Sequence, residues 1–284
     1  MRFDTRLLQS GSDPDATGAT VPPLHLAATY DTRWQEQPRY FYTRSENPTR
    51  EALERTLAFL EDAPFATVHS SGQAAGETVL SLVPPGGRLV ASDDVYGGTR
   101  ALFGLLAGRG VTVDHVDLTD PAAVRTALSD GADMVWIEAP TNPLLKIADL
   151  ARLGPLARRS GAVVVVDNTL ASPVLQRPLD LGADVCLYST TKSIAGHSDV
   201  LGGALVCRRA DLHDRFLAHR TAVGAVPGAS TATSCTADSR RCRCAWPGRS
   251  TTPGCSRTRW SAPDCPSATR DWPTTPSTTW RGGR

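Results

Sequence analysis

Only two of the chain's 30 basic residues are lysines, Lys146 and Lys192; all the others are arginine. A guanidinium stays protonated and is a poor nucleophile, whereas a lysine amine can form a Schiff base and carry protons. Lys192 closes the hydroxyl-rich run Ser189-Thr190-Thr191-Lys192, and Gly196-His197-Ser198-Asp199 follows it. Other clusters have residue types suited to a charged ligand. Ser70-Ser71-Gly72-Gln73-Ala74-Ala75 reads as a small-residue entry to a helix, whose free backbone N–H groups can cradle a phosphate. Asp94-Val95-Tyr96-Gly97-Gly98-Thr99 presents an aromatic, while Glu138-Ala139-Pro140-Thr141-Asn142-Pro143 and Asp167-Asn168-Thr169 present acids and amides. Asp167 reads either as the partner of a cationic group or as a turn cap, the common fate of Asp after a strand.

The elements that must position these groups alternate. Apolar spacing predicts helices over 50–60, 73–82, 99–107, 121–128, 150–160 and 212–220. Apolar runs predict strands over 67–70, 88–91, 111–116, 134–138, 162–166, 185–188 and 204–207, with 162–166 as an unbroken central strand. This order argues an α/β domain with a mostly parallel sheet flanked by helices. Ligands of such sheets sit at the carboxyl ends of strands, where all the clusters above fall. Residues 1–50, punctuated by glycine and proline, read as an extended N-terminal arm, and residues 51–227 as the large domain.

Several function classes are excluded. The 284 residues are 40% hydrophobic and 21% charged with a net charge of +1, which favours neither nucleic acid nor an anionic membrane. No apolar run approaches a membrane span and no signal-peptide core follows Met1, so the expected compartment is the cytoplasm. No G-x-G-x-x-G or Walker-type glycine pattern opens a helix. Cys242-Arg-Cys244 has no histidine after it and no second pair, so no metal site is expected.

The ordered set Tyr42-Thr43-Arg44-Ser45-Glu46-Asn47-Pro48-Thr49, Ser71-Gly72, Tyr96-Gly97-Gly98-Thr99, Asn142-Pro143, Asp167-Asn168-Thr169 and Ser189–Lys192 with Gly196-His197-Ser198-Asp199 resembles one family. It is that of the pyridoxal 5′-phosphate (PLP) enzymes of Cys/Met metabolism, the cystathionine γ-lyase and γ-synthase group, and the likeness covers residues 4–227. The resemblance implies an aspartate-aminotransferase-type large domain and PLP as cofactor. Lys192 would hold the cofactor and shuttle protons, Asp167 would pair with the pyridine nitrogen, and Tyr96 would stack on the ring and take part in proton transfer. Asn142 would orient the ring hydroxyl, and Gly72, Gln73, Ser189 and Thr191 would hold the phosphate. Gln73 stands where the family usually has Met, a change that a backbone donor tolerates. Tyr42 and Arg44 would reach the phosphate of a neighbouring subunit in a homotetramer, a dimer of dimers. The implied reaction breaks or forms a C–S bond at the γ-carbon of an amino acid such as cystathionine. It is lyase-like, with a γ-synthase-type replacement or a non-catalytic remnant as the alternatives.

The resemblance ends at Val226-Pro227-Gly228. Residues 228–284 carry nine Arg and three Asp, a net of +6 that leaves −5 for residues 1–227. They contain no Leu, Ile, Val, Met, Phe or Tyr, so disorder is expected there, with the family's small C-terminal domain missing. Codons for Ala229–Trp246, read one frame over with free synonymous choice, can spell L-D-S-Y-L-V-H-R-G-L-K-T-L-P-L-R-V. That string resembles the family's own continuation, and a frameshift near codon 228 is the expected origin of the tail.

Overall fold

The structure is a computed structural model and describes residues 18–33 and 38–239. The expectations for residues 1–17 and 240–284 lie outside the described residues. Seven strands form one sheet: β1 (Phe65–His69), β2 (Arg88–Ser92), β3 (Thr112–Val116), β4 (Met134–Glu138), β5 (Val163–Asp167), β6 (Val185–Tyr188) and β7 (Gly203–Cys207). Their spatial order is β1-β7-β6-β5-β4-β2-β3. The five strands β2 to β6 pair in parallel, while β7 runs antiparallel to both β6 and β1. The sheet is mostly parallel, as the pattern predicts.

Helices cover both faces, which is why the central strands read as continuous apolar runs rather than alternating ones. On one face Val164, Val166, Cys186 and Val206 pack with Leu53 and Leu57 of α1 (Pro48–Leu60) and with Leu150 and Leu153 of α5 (Leu150–Arg159). On the other, Val165, Leu187, Leu205 and Trp136 pack with Val79 of α2 (Gly72–Leu80), Phe103 of α3 (Gly97–Leu106) and Phe216 of α7 (Ala210–Val223). The other α-helices before residue 228 are α4 (Pro121–Ala127) and the single turn α6 (Ser172–Leu175).

Helix starts are set by side-chain caps. Asn47 Oδ1 accepts from the Thr49 and Arg50 amides and Pro48 occupies the first turn of α1, where a missing N–H costs nothing. Ser71 caps α2 through the Ala74 amide, which leaves the earlier amides of that helix without an intrahelical acceptor. Register does the rest. Glu138 lies opposite Asp167, and Asp167 opposite Leu187, so the polar ends of β4, β5 and β6 come level.

One expectation is corrected. Residues 229–239, predicted to be disordered for lack of aliphatic side chains, form α8 (Ala229–Ser239), packed against α1. Ala232, Cys235, Thr236 and Ser239 are buried, at the spacing of one helical face. Their small side chains let the two backbones approach. The hydroxyls of Thr233 and Thr236 bond carbonyls four residues back, at 3.0 and 2.8 Å, and so need no other partner. The composition rule looked for bulk, and close approach replaced it.

Among the described residues, no helix is long and apolar enough to cross a membrane, and no group of three or more His, Cys, Asp or Glu could hold a metal.

Candidate active site

A cavity of about 350 Å³ opens at the carboxyl ends of the strands. It brings together Gly72, Gln73, Tyr96, Asn142, Asp167, Ser189, Thr191 and Lys192, eight of the ten residues that the sequence singles out. Tyr42 and Arg44 are not among its lining residues. They lie on the exposed turn before α1, where the Arg44 guanidinium stacks 5.3 Å from the Tyr42 ring centroid and donates to the Thr221 carbonyl.

The end of the cavity at the start of α2 is shaped by glycine. A Cβ on Gly72 would lie 2.9 Å from the Cβ of Ser189, and one on Gly203 would lie 2.2 Å from the Ser71 carbonyl oxygen. Only bare backbone lets the start of α2 come up against the hydroxyl-rich turn after β6. The amides of Gly72 and Gln73, without a backbone acceptor among the described residues, thus open this helix where Gly72 meets Ser189. The Thr191 hydroxyl is already engaged: it donates to the Gly202 carbonyl at 3.2 Å and accepts from the Gly202 amide at 3.0 Å. Thr191 is a brace for this turn as well as a wall of the cavity.

Lys192 follows directly. Its side chain is exposed into the cavity mouth, and its Nζ has no hydrogen-bond or ion-pair partner among the described residues. Tyr96 is the N-cap residue of α3, with its ring 49% exposed over the same opening. Gln73 Nε2 donates to the Gly98 carbonyl at 2.7 Å, which ties the Tyr96 turn to α2.

Asp167 ends β5 and is 9% exposed. Its Oδ1 accepts from the Thr169 amide at 3.0 Å, and burial raises its pKa above the ordinary carboxylate value. Asp167 thus caps a turn, as one of its two readings expects, and it also lines the cavity.

Glu138, which the sequence shows only as the start of a strand-end cluster with no role of its own, has a larger place in the structure. It lines the cavity at the end of β4, is 4% exposed, and accepts from the amides of Tyr96 at 3.0 Å and Asn142 at 2.8 Å. One carboxylate thus fixes the backbone beneath two other cavity residues. Burial, and then the neighbouring charge of Asp167, push its pKa up to about 8, against the pull of those amides. The signal was present in the sequence: two adjacent apolar strands, Met134–Glu138 and Val163–Asp167, each end in an acid.

These residues fit the cofactor that the sequence resemblance implies. Asp167, a buried acid at the cavity wall, has no ion-pair partner among the described residues, so the site beside it can accept a positive charge. A protonated ring nitrogen would supply it. The glycine-shaped end offers free amides for a phosphate, and the one unpaired lysine offers an amine for an aldehyde.

Comparison with known proteins gives the same result. The profile of the Cys/Met metabolism PLP-dependent enzyme family matches residues 4–237. A probable cystathionine gamma-synthase of Herpetosiphon aurantiacus is 44% identical over 229 residues, 80% of this chain and 72% of that one. A cystathionine beta-lyase of Coxiella burnetii is 42% identical over 232 residues, 79% of this chain and 59% of its own length. A crystal structure of cystathionine gamma lyase from Micromonospora echinospora superposes with a TM-score of 0.83 at 58% identity, over 85% of this chain and 65% of that one. The chain therefore spans about three fifths to two thirds of the length of most of these relatives.

Proposed function

Since this chain belongs to the Cys/Met metabolism PLP-dependent enzyme family, we propose that its cavity binds PLP and serves the breaking or making of a C–S bond at the γ-carbon of an amino acid such as cystathionine. The observation that carries this reading is the meeting, in one cavity, of the unpaired Lys192 amine, the buried Asp167 carboxylate and the free amides of α2. When bound, PLP supplies an electron sink for the carbanions that such chemistry requires.

The side chains divide the work. Lys192 Nζ is the amine that would hold the cofactor and that would move protons between substrate carbons when free. Asp167 keeps the ring nitrogen protonated; as an acid that is costly to ionise in isolation, it is stabilised as a carboxylate by that cation. Tyr96 would cover the ring face and share in proton transfer, and Asn142 would orient the ring hydroxyl. The amides of Gly72 and Gln73, with the Ser189 hydroxyl, would hold the phosphate, and the Thr191 hydroxyl would join them by exchanging its bond to the Gly202 carbonyl for one to the phosphate. Tyr42 and Arg44 serve the site of a neighbouring subunit in a dimer of dimers, which agrees with their absence from their own chain's cavity. The compartment in this reading is the cytoplasm.

The relatives include synthases and lyases alike, so γ-replacement, as in a cystathionine gamma-synthase, stands as a second reading of the same site. We further propose that the codons after Gly228 are read one frame away from the family's continuation. The deciding experiment compares this chain with one re-framed after Gly228. Release of a keto acid and ammonia from cystathionine by the re-framed chain supports the lyase, and γ-replacement with cysteine supports the synthase. Equal turnover by the chain as given removes the frame argument.

A further inference from the structure

A buried chain of hydrogen bonds runs behind the cavity, and its direction is forced from one end. The Ala139 carbonyl can only accept, so the Gln176 side chain must turn its amide nitrogen to it, at 3.0 Å. The same nitrogen donates to Asn168 Oδ1 at 2.9 Å, which fixes the Asn168 amide with its nitrogen on the other side. Asn168 Nδ2 then donates to the Gln176 carbonyl and to the Tyr188 hydroxyl oxygen, both at 2.8 Å. The Tyr188 proton is left with one destination, Glu61 Oε1, which it reaches. Glu61, Asn168 and Tyr188 are each 0% exposed.

Three members of this chain, far apart in sequence, belong to three neighbouring strand ends, while Glu61 and Gln176 each follow a helix. Ala139 follows β4, Asn168 follows β5, and Tyr188 ends β6. Those ends carry Glu138 and Asn142, then Asp167, then Ser189 and Lys192. Two further bonds tie β5 to β6: Asn168 N to the Leu187 carbonyl at 3.0 Å and Ser189 N to Thr169 Oγ1 at 2.9 Å. No member of the side-chain relay except Gln176 approaches solvent.

We propose that Glu61, Tyr188, Asn168 and Gln176 are positioning residues that act as one oriented unit, setting the spacing between Asp167 and the Lys192 turn to that of the cofactor. This rests on the reading of the cavity as a PLP site. The physical reason is asymmetry of cost: within a buried network, removing one donor leaves the next acceptor desolvated and unpaired, so the break travels along the chain. Glu61 sits at the far end, near Arg177, Arg208 and Asp180, and burial pushes its pKa up to about 7. An acceptor, not necessarily a charge, is what the relay demands of it.

The test uses Tyr188→Phe, Gln176→Leu and their combination, with Leu53→Ala in α1 as a control that weakens the same core without touching the relay. PLP affinity and the visible absorption of the bound cofactor are measured alongside the unfolding midpoint. Tyr188→Phe and Gln176→Leu should each weaken PLP binding by roughly tenfold, the scale on which outer-shell partners act elsewhere, and shift the absorption band. The combination should weaken it no further than the worse single change. Glu61→Gln, which keeps an acceptor, should bind normally, and Glu61→Leu should not. Leu53→Ala should lower the unfolding midpoint alone. If Tyr188→Phe and Gln176→Leu also lower only the midpoint, the relay is structural and the inference is overturned. If the unmodified chain takes up no PLP on Lys192, the parent reading falls, and this one with it.

Discussion

Lys146 and Lys192 follow different strands of the same sheet, and their surroundings are opposites. Lys146 Nζ is gripped by Asp93 at 2.8 Å and Asp117 at 2.9 Å, and these hydrogen bonds, Asp93's first, raise its pKa. Lys192 has a cavity in front of it, hydroxyl residues behind it and no carboxylate in contact among the described residues. An ammonium held by two carboxylates is a poor nucleophile, because its proton is bound in both ion pairs and its lone pair is not free to attack. In a chain whose other basic residues are all arginine, the two lysines thus divide into a clamp and a reagent.

The largest effect to look for is the one that would erase this division. Borohydride reduction of the chain with PLP, followed by peptide mapping, should place the pyridoxyl group on Lys192 alone. Lys192→Ala should lose all covalent cofactor while keeping weak, phosphate-anchored binding. Label on Lys146 would reverse the assignment.

Next comes the acid opposite the amine. Asp167→Ala in the re-framed chain should lower cystathionine turnover by several orders of magnitude while Lys192 still takes the label. Near-normal turnover would show that the ring nitrogen needs no partner or has another, with Glu138 the first to examine.

Glu138 sharpens the contrast through pH. Its pKa, about 8 in the fold against the ordinary 4.5, means that the folded state binds this proton more tightly than the unfolded one. Stability from this group is therefore complete below pH 4.5 and is lost as pH rises through 8. Denaturant titrations of the cofactor-free chain and of Glu138→Gln should diverge over that window, the variant gaining relative stability toward pH 8. Parallel curves would mean that Glu138 is solvated. Taking the difference cancels groups with the opposite sign, such as His69, whose pKa burial lowers to about 3.

The smallest effect belongs to the clamp. Lys146→Met breaks two partly exposed ion pairs, which contribute little in water, so PLP affinity should be unchanged and the unfolding midpoint nearly so. A large loss of binding would make Lys146 more than a surface brace.

What could be read from the sequence was local. Strand ends such as Asp167-Asn168-Thr169 and Ser189–Lys192 announce themselves because the apolar run and the polar cap are contiguous. The double duty of Glu138 was harder, since its bonds to Tyr96 and Asn142 depend on the register of separate strands. The relay from Ala139 to Glu61 was invisible, because Tyr188 and Glu61 meet only across the fold. The helix Ala229–Ser239 was missed for a different reason: small residues pack through backbone approach, which composition does not record.

The antiparallel strand Gly203–Cys207 has a consequence for how the molecule is made. It pairs Phe65 with Cys207 and His69 with Gly203, so the first strand of the sheet waits for the last. During synthesis, Phe65–His69 leaves the ribosome long before its partner exists, while Val163–Asp167 and Val185–Tyr188 can pair soon after emerging. Closing so long a loop carries a large entropic cost before any contact repays it, and topologies dominated by distant pairings fold slowly. The early strand spends that interval with an unpaired edge, the state in which a nascent chain has most need of a chaperone.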